Sequence, residues 1–427
     1  MRAALALGLS LLAAFANQAW AAAPTIIRFI SWNPDHPYVW EAAIQRFQAQ
    51  HPEIRIVREL APHSSTAYHD LVTQKLKNRD GSVDVLFMDV VWVPEFAAAG
   101  WVRPLDDRFV PSRQREFFPS TIDVGRYRDH LYGVPSRIDA GLLYYRADLL
   151  QKYGLSPPRT WAELVEQSEQ ILTGERRTTP GLRGYSAQFK QYEGLVCNML
   201  ELISSHGGTV IDPAQGRARL SDPHTLAALD FVRTRLLGPV ASRALLVYQE
   251  PESLAAFVRG QAVFHRNWPY AYEIANDPER SSIAGHVGVT ALPGTARAPG
   301  QATLGGWLLA ISAQSAHVDE AWAFIAFLTS ADMQRVFAQR AGIAPSRMAL
   351  YSDPALAAAN PHWKHHAAIL ETALTRPRSP VYPAISRVLQ RFFSRALASP
   401  DRALEADAAE ADRSINRLLR LSDHQPS

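Results

Sequence analysis

The chain has 427 residues, 47% hydrophobic and 20% charged, with 44 Lys and Arg against 41 Asp and Glu. That composition is globular, excludes a disordered or fibrous chain, and at roughly 150 residues per domain predicts two or three domains. A net charge of +3 without a long Lys/Arg run provides no track for a nucleic-acid backbone, so no nucleic-acid partner is expected.

Arg2 and the apolar run Ala3–Phe15 lead into Ala19-Trp-Ala21 and Ala21-Ala-Ala23. A basic start, a short apolar stretch and a small-x-small site have the form of a cleaved secretory signal, assigned here to residues 1–23. The run is shorter than the ~20 residues a membrane span needs. The single cysteine, Cys197, excludes an intramolecular disulfide and lies far from any cleavage point where a lipid would attach. These features suit an exported, unlipidated protein of a bacterial periplasm. Cys197 itself sits in the apolar helical stretch Gly194–Ile203, which predicts a buried, inert thiol.

Thr25–Trp32 has a strand pattern closed by Asn33-Pro34. Trp40, Ala43, Ile44 and Phe47 then share one face of a helix that stops before Pro52. Ile54–Leu60 reads as a second strand, Tyr68–Lys77 as a helix and Val83–Val90 as a strand buried on both faces. This alternation predicts a doubly wound α/β sheet of mostly parallel strands. Further on, Thr160-x-x-Glu163 after Pro157-Pro158 opens a helix through a capping box. Tyr132–Pro135 and Ala291–Gly294 carry turn residues between strand-like segments and are read as passages between two lobes. The lobes are then discontinuous: 24–136 with 291–342, and 137–290 with 343–427. The Ala-, Arg- and acid-rich tail beyond Ser399 is expected to be a helix packed on a lobe.

Catalytic signatures are missing: there is no Gly-x-Ser-x-Gly elbow, phosphate-cradling glycine loop or His-Glu-x-x-His. His362-Trp-Lys-His365-His366 puts two imidazoles at i, i+4, but Lys364 and the lack of nearby acidic or thiolate ligands favour a solvated surface over a metal site. No catalytic residue, metal or cofactor is assigned. Asp89 and Asp139 end strand-like segments, where open α/β sheets place a ligand crevice. Carboxylates there accept hydrogen bonds from sugar hydroxyls or do acid–base work, and the residues alone leave both open. Arg266-Asn-Trp-Pro-Tyr270 sets two aromatics around a proline, and Thr303-Leu-Gly-Gly-Trp307 puts a tryptophan behind two glycines. Aromatic faces stack on the C–H face of a sugar ring while carboxylates and an arginine bond its hydroxyls. Each tryptophan is equally readable as core.

Together with Asp84–Trp92, Gly100–Asp106, Ile138–Arg146, Gln191–Cys197 and Arg376-Pro, these segments make the chain resemble the solute-binding proteins of carbohydrate ABC importers. The likeness runs through nearly the whole chain and is strongest to the trehalose/maltose-binding branch. It implies two α/β lobes joined by hinge strands and closing on one α-linked disaccharide, with a membrane permease as partner and a monomeric receptor. By resemblance, Asp89 and Asp139 bind sugar hydroxyls from opposite sides of the cleft, Trp268 and Trp307 stack on the rings with Tyr270 beside them, Gly305 and Gly306 approach the ligand, and Arg376 donates. Arg137 stands where the family more often has an uncharged residue, which admits an anionic glycoside as an alternative. The first loop offers Asp35 or His36 for the acidic role common in this branch. A secreted glycan-active enzyme using Asp89 and Asp139 is the reading from another class.

Overall fold

The computed structural model describes residues 23–32, 37–79, 81–399 and 401–423. The signal segment up to residue 22, Asp35 and His36 lie outside them. Strand β1 (Thr25–Ser31), helix α1 (Pro37–Gln50), β2 (Ile54–Leu60), α2 (Ser65–Asn78) and β3 (Val85–Asp89) follow the predicted alternation. Trp40, Ala43, Ile44 and Phe47 of α1 are buried together, as their spacing requires. All five residues of β3 are buried, because this strand is covered on both faces.

Two sheets form the two lobes. The first has the order β2-β1-β3-β9-β4, with β4 at Val134–Ala140 and β9 at Leu304–Ile311. The second has the order β8-β5-β7-β6, from β5 (Leu142–Arg146), β6 (Arg183–Ser186), β7 (Ala262–Asn267) and β8 (Val287–Thr290). Both are mixed rather than mostly parallel. The strands β2, β1 and β3 run parallel, but β9 is antiparallel to β3 and β4, and β5 is antiparallel to β7 and β8. A strand that returns from the other lobe enters its sheet from the opposite end, so the crossings themselves impose the reversal.

The passages lie elsewhere than the turn residues suggested. Ala140 ends β4 and Leu142 begins β5, so Gly141 is the single residue between the sheets. Arg137–Ala140 therefore belong to the N-terminal sheet, and Tyr132–Pro135 is the entry to β4. Ala291–Gly294 stays with the second lobe, where Gly294 exchanges backbone hydrogen bonds with Arg159 and Trp161 at 2.9 and 3.0 Å. The return comes at Ala302–Leu304, and a third segment runs beside it: Leu304 N donates to Leu374 O, and Leu374 N to Ala302 O, both at 2.8 Å. Residues beyond 342 first continue along β4, with Arg137 bridged to Pro345. Glycine and proline mark bends, whereas the hydrogen-bond ladder decides where the chain changes sheet.

In the second lobe, α3 (Trp161–Glu175) opens as predicted: Thr160 Oγ1 accepts from Glu163 N at 3.1 Å. Its Glu163 reaches Arg159 N at 2.7 Å instead of the cap residue itself. Helix α4 (Glu193–Ser205) is buried along nearly its whole length and holds Cys197. Helices α5 (Glu250–Val258), α6 (Trp363–Glu371), α7 (Tyr382–Ala398) and α8 (Glu405–Asp423) complete what the site needs. The tail helix α8 is tied down by Asp412, whose carboxylate accepts from Leu220 N at 2.6 Å and Ser221 N at 3.0 Å. No described helix is long and apolar enough to cross a membrane.

Candidate functional site

The parallel strands β3 and β4 end on the same side of the first sheet, and antiparallel β9 begins there. Register pairs Trp307 with both Asp89 and Arg137, and Gly305 with Asp139. Three sequence-distant segments are thus brought to one end of the sheet, the place where an open α/β sheet has free backbone and room for a ligand. Asp89 and Asp139 lie on the same side of the cleft rather than on opposite sides, because β3 and β4 both pair with β9. Across the cleft, Trp268 follows β7 and its ring rim meets Gly305: a Cβ there would stand 3.0 Å from Trp268 Cζ3. Gly306 has φ +143°, and a Cβ would stand 2.8 Å from Arg137 O, so only glycine suits that position.

Asp89, Arg137, Asp139, Trp268, Gly305, Gly306, Trp307 and Arg376 line one interlobe cavity. Tyr270 does not. It starts the helical turn at Ala271 and packs into a separate core with Leu142, Tyr144 and Phe257. The bend at Pro269 carries it away from the cleft, while Tyr144 Oη holds Trp268 O at 2.7 Å.

The charged groups are arranged in pairs. Arg376 Nη2 donates to Asp89 Oδ1 at 2.9 Å and Nη1 to Glu193 Oε1 at 3.0 Å, joining the end of β3 to the start of α4. Glu193 also accepts from Tyr382 Oη at 2.5 Å and from Ser386 Oγ. Arg137 Nε lies 3.2 Å from Asp139 Oδ2, with its guanidinium 5.4 Å from the Trp32 ring and 6.0 Å from that of Trp307. Burial raises the Asp139 carboxyl above its ordinary value against the opposing pull of Arg137, and Asp89 adds to the rise. Trp307 is parallel to Trp32 at 4.9 Å and to Phe87 at 5.1 Å, so it belongs to an aromatic stack as well as to the cavity wall.

Sequence reasoning missed Trp32, His63, Tyr192, Glu193 and Glu250, all in the lining. Tyr192 and Glu193 stood in the noted Gln191–Cys197 stretch without a role. Glu250 reads in sequence as an ordinary carboxylate in the first turn of a helix, and nothing local marks it. Cys197 lies in the same wall; burial pushes its thiol up to about 12, which suits an unreactive sulfur.

The histidine cluster is a correction. His362 and His366 are buried rather than solvated, with Tyr351 Oη 3.0 Å from His366 Nδ1 and the Tyr272 ring 4.2 Å from that of His362. Burial holds the His366 imidazole down to about 3. The apolar positions around it, Trp363 and Leu370, turn α6 inward and carry the histidines with them. Among the described residues no group of His, Cys, Asp and Glu is arranged to hold a metal ion. A larger cavity, about 630 Å³, lies between α4, Gly208–Pro213 and the segment 372–379, but no aromatic ring lines it.

Residues 33–335 match the family model described as bacterial extracellular solute-binding protein, and the chain belongs to that family. It is 36% identical over 335 residues to a probable ABC transporter-binding protein of Deinococcus radiodurans, covering 78% of this chain and 79% of the relative. A mannitol-binding protein of Pseudomonas aeruginosa is 25% identical over 395 residues, covering 87% and 88%. Among solved structures, maltose-bound MalE3 of T. maritima superposes with a TM-score of 0.85 at 36% identity, covering 93% of this chain and 99% of that one. The family and the two-lobed fold are those of binding proteins rather than enzymes.

Proposed function

We propose that this chain is the periplasmic sugar receptor of an ABC importer, exported through a cleaved, unlipidated signal and acting as a monomer that delivers its ligand to a membrane permease. The ligand is an α-linked disaccharide such as maltose or trehalose. The observation that carries this reading is one cavity in which ring faces meet paired carboxylates and guanidiniums drawn from both lobes. Aromatic faces take the apolar side of a sugar ring, and the charged groups make strong hydrogen bonds to its hydroxyls. The 36% identity to a maltose-bound protein supports the choice of disaccharide.

The proposed roles follow from position. Asp89 and Asp139 accept from hydroxyls, Arg137 and Arg376 donate, Trp268 and Trp307 provide rings, and the Gly305–Gly306 backbone lies close to the ligand. The mechanism is thermodynamic: a sugar touching both lobes favours the closed arrangement over the open one. Shifting that population from 1:99 to 99:1 takes about 5.5 kcal/mol of differential binding. A micromolar complex holds about 8 kcal/mol, so a bridging disaccharide suffices. An anionic glycoside is disfavoured, because each lining arginine already faces a carboxylate. Hydrolysis is disfavoured as well, since Asp89 is already engaged by Arg376 at 2.9 Å and by Val91 N at 3.2 Å. Calorimetric titration of the ligand-stripped protein with maltose, trehalose, sucrose and a uronic-acid glycoside tests this. Saturable micromolar binding of maltose or trehalose is expected; binding of the anionic sugar alone would overturn the choice of ligand.

A further inference from the structure

Glu250, in the first turn of α5, is unlike the other acids of the interlobe cavity. Asp89 and Glu193 share Arg376, and Asp139 faces Arg137. Glu250 is held by neutral donors alone: Tyr192 Oη donates to Oε2 at 2.7 Å and Trp268 Nε1 to Oε1 at 3.3 Å. The guanidinium of Arg266 lies 4.1 Å from the Trp268 ring, but it is turned to Glu201 and bonds both of its carboxylate oxygens at 2.8 and 2.5 Å.

Glu250 is buried, 7% exposed, and lines the cavity. A buried carboxylate without a countercharge is costly, and its cost falls when a cation approaches. Its two donors keep their protons: burial and the Glu250 charge raise the Tyr192 hydroxyl well above its ordinary value, and an indole N–H does not titrate. With both donors aimed at it, Glu250 presents acceptor oxygens flanked by aromatic rings, the combination that retains an ammonium group through charge, hydrogen bonding and cation–π attraction. The whole lining agrees, since its carboxylates outnumber its guanidiniums: Asp89, Asp139, Glu193 and Glu250 against Arg137 and Arg376.

We propose that Glu250, with Trp268 and Tyr192 beside it, seats a protonated amine, so that the receptor prefers an amino-substituted saccharide to its neutral counterpart. This rests on the sugar-receptor reading and narrows it to a ligand class. The test is calorimetric titration of the ligand-stripped protein, at a pH where sugar amines are protonated, with trehalose, its 2-amino and 6-amino analogues, and the N-acetylated form of each. One of the amines is expected to bind about tenfold tighter than trehalose and than its own N-acetyl form. In Glu250→Gln the ratio of amine to neutral affinity should fall to about one, because the charge is gone while the shape remains. Neutral trehalose binding as tightly as both amines in the wild-type protein would overturn the amine seat and leave the sugar receptor standing. No binding of any saccharide would overturn the sugar reading and this proposal with it. The wild-type comparison decides even if the variant folds poorly.

Discussion

Trp268 and Trp307 meet the cavity in different ways, and their loss should read differently. Trp268 is half-buried and fixed by Glu250 and by the rim contact at Gly305. Trp268→Ala is expected to cost about 2–4 kcal/mol of sugar binding, as a central aromatic anchor does, with a smaller effect on stability. Trp307 is parallel to and in contact with the core rings of Trp32 and Phe87, so Trp307→Ala should cost about 3–5 kcal/mol of stability along with affinity. Calorimetry and thermal melts on the two variants separate these outcomes. Asp139 adds a pH dependence. Its carboxyl titrates above the ordinary range because it is buried, and the ionised form is the acceptor. As pH falls through that raised value the acceptor is lost, so affinity should weaken on acidification earlier than an unperturbed carboxylate would predict. Asp139→Asn should flatten that limb of the profile of affinity against pH.

Among the elements, the crossing at Gly141 has the least tolerance. A Cβ there would stand 2.3 Å from Glu201 Oε1 and 2.7 Å from Arg266 Nη2, inside the buried ion pair that underlies the hinge. Glu201 Oε1 also accepts from Thr303 N at 3.0 Å, so the same pair ties the outgoing and returning crossings. Gly141→Ala should therefore cost about 3–5 kcal/mol in denaturant unfolding, comparable to breaking a buried pair. A loss of less than about 1 kcal/mol would show that the pair moves aside and does not constrain the crossing. Position 141 could be read in sequence only as a glycine between two strand-like runs. What makes it indispensable is a contact with residues 60 and 125 positions away.

At the scale of the molecule, the cavity is small. Its volume of about 50 Å³ compares with the roughly 300–1,000 Å³ of ordinary ligand pockets, so it is too small for a disaccharide-sized ligand unless the lobes separate. Arg376 resists that separation, since it bonds Asp89 on one lobe and Glu193 on the other. Small-angle scattering should show a radius of gyration that falls when the bound sugar is added to the stripped protein. Arg376→Met should widen the stripped form further, because each carboxylate left behind prefers water to a buried site without its partner. No change in radius on titration would contradict the closing mechanism.

Much of this was legible in the residue order. Periodicity placed β1, α1, β2, α2 and β3 to within a few residues, because each buries a face set by its own spacing. The aromatic and acidic positions at strand ends were likewise visible, since apolar strands announce where they stop. The crossings, the mixed strand directions, the inward turn of the histidine helix and the departure of Tyr270 from the cleft were not. Each depends on which distant strand or helix completes the hydrogen bonds or covers the side chain, and no local pattern records that. Glu250 is the sharpest case. Its sequence neighbourhood makes it a helix-start carboxylate, and only the fold sets it beside Trp268 and Tyr192 while turning Arg266 to Glu201, so its place in the cavity wall is a property of the tertiary structure alone.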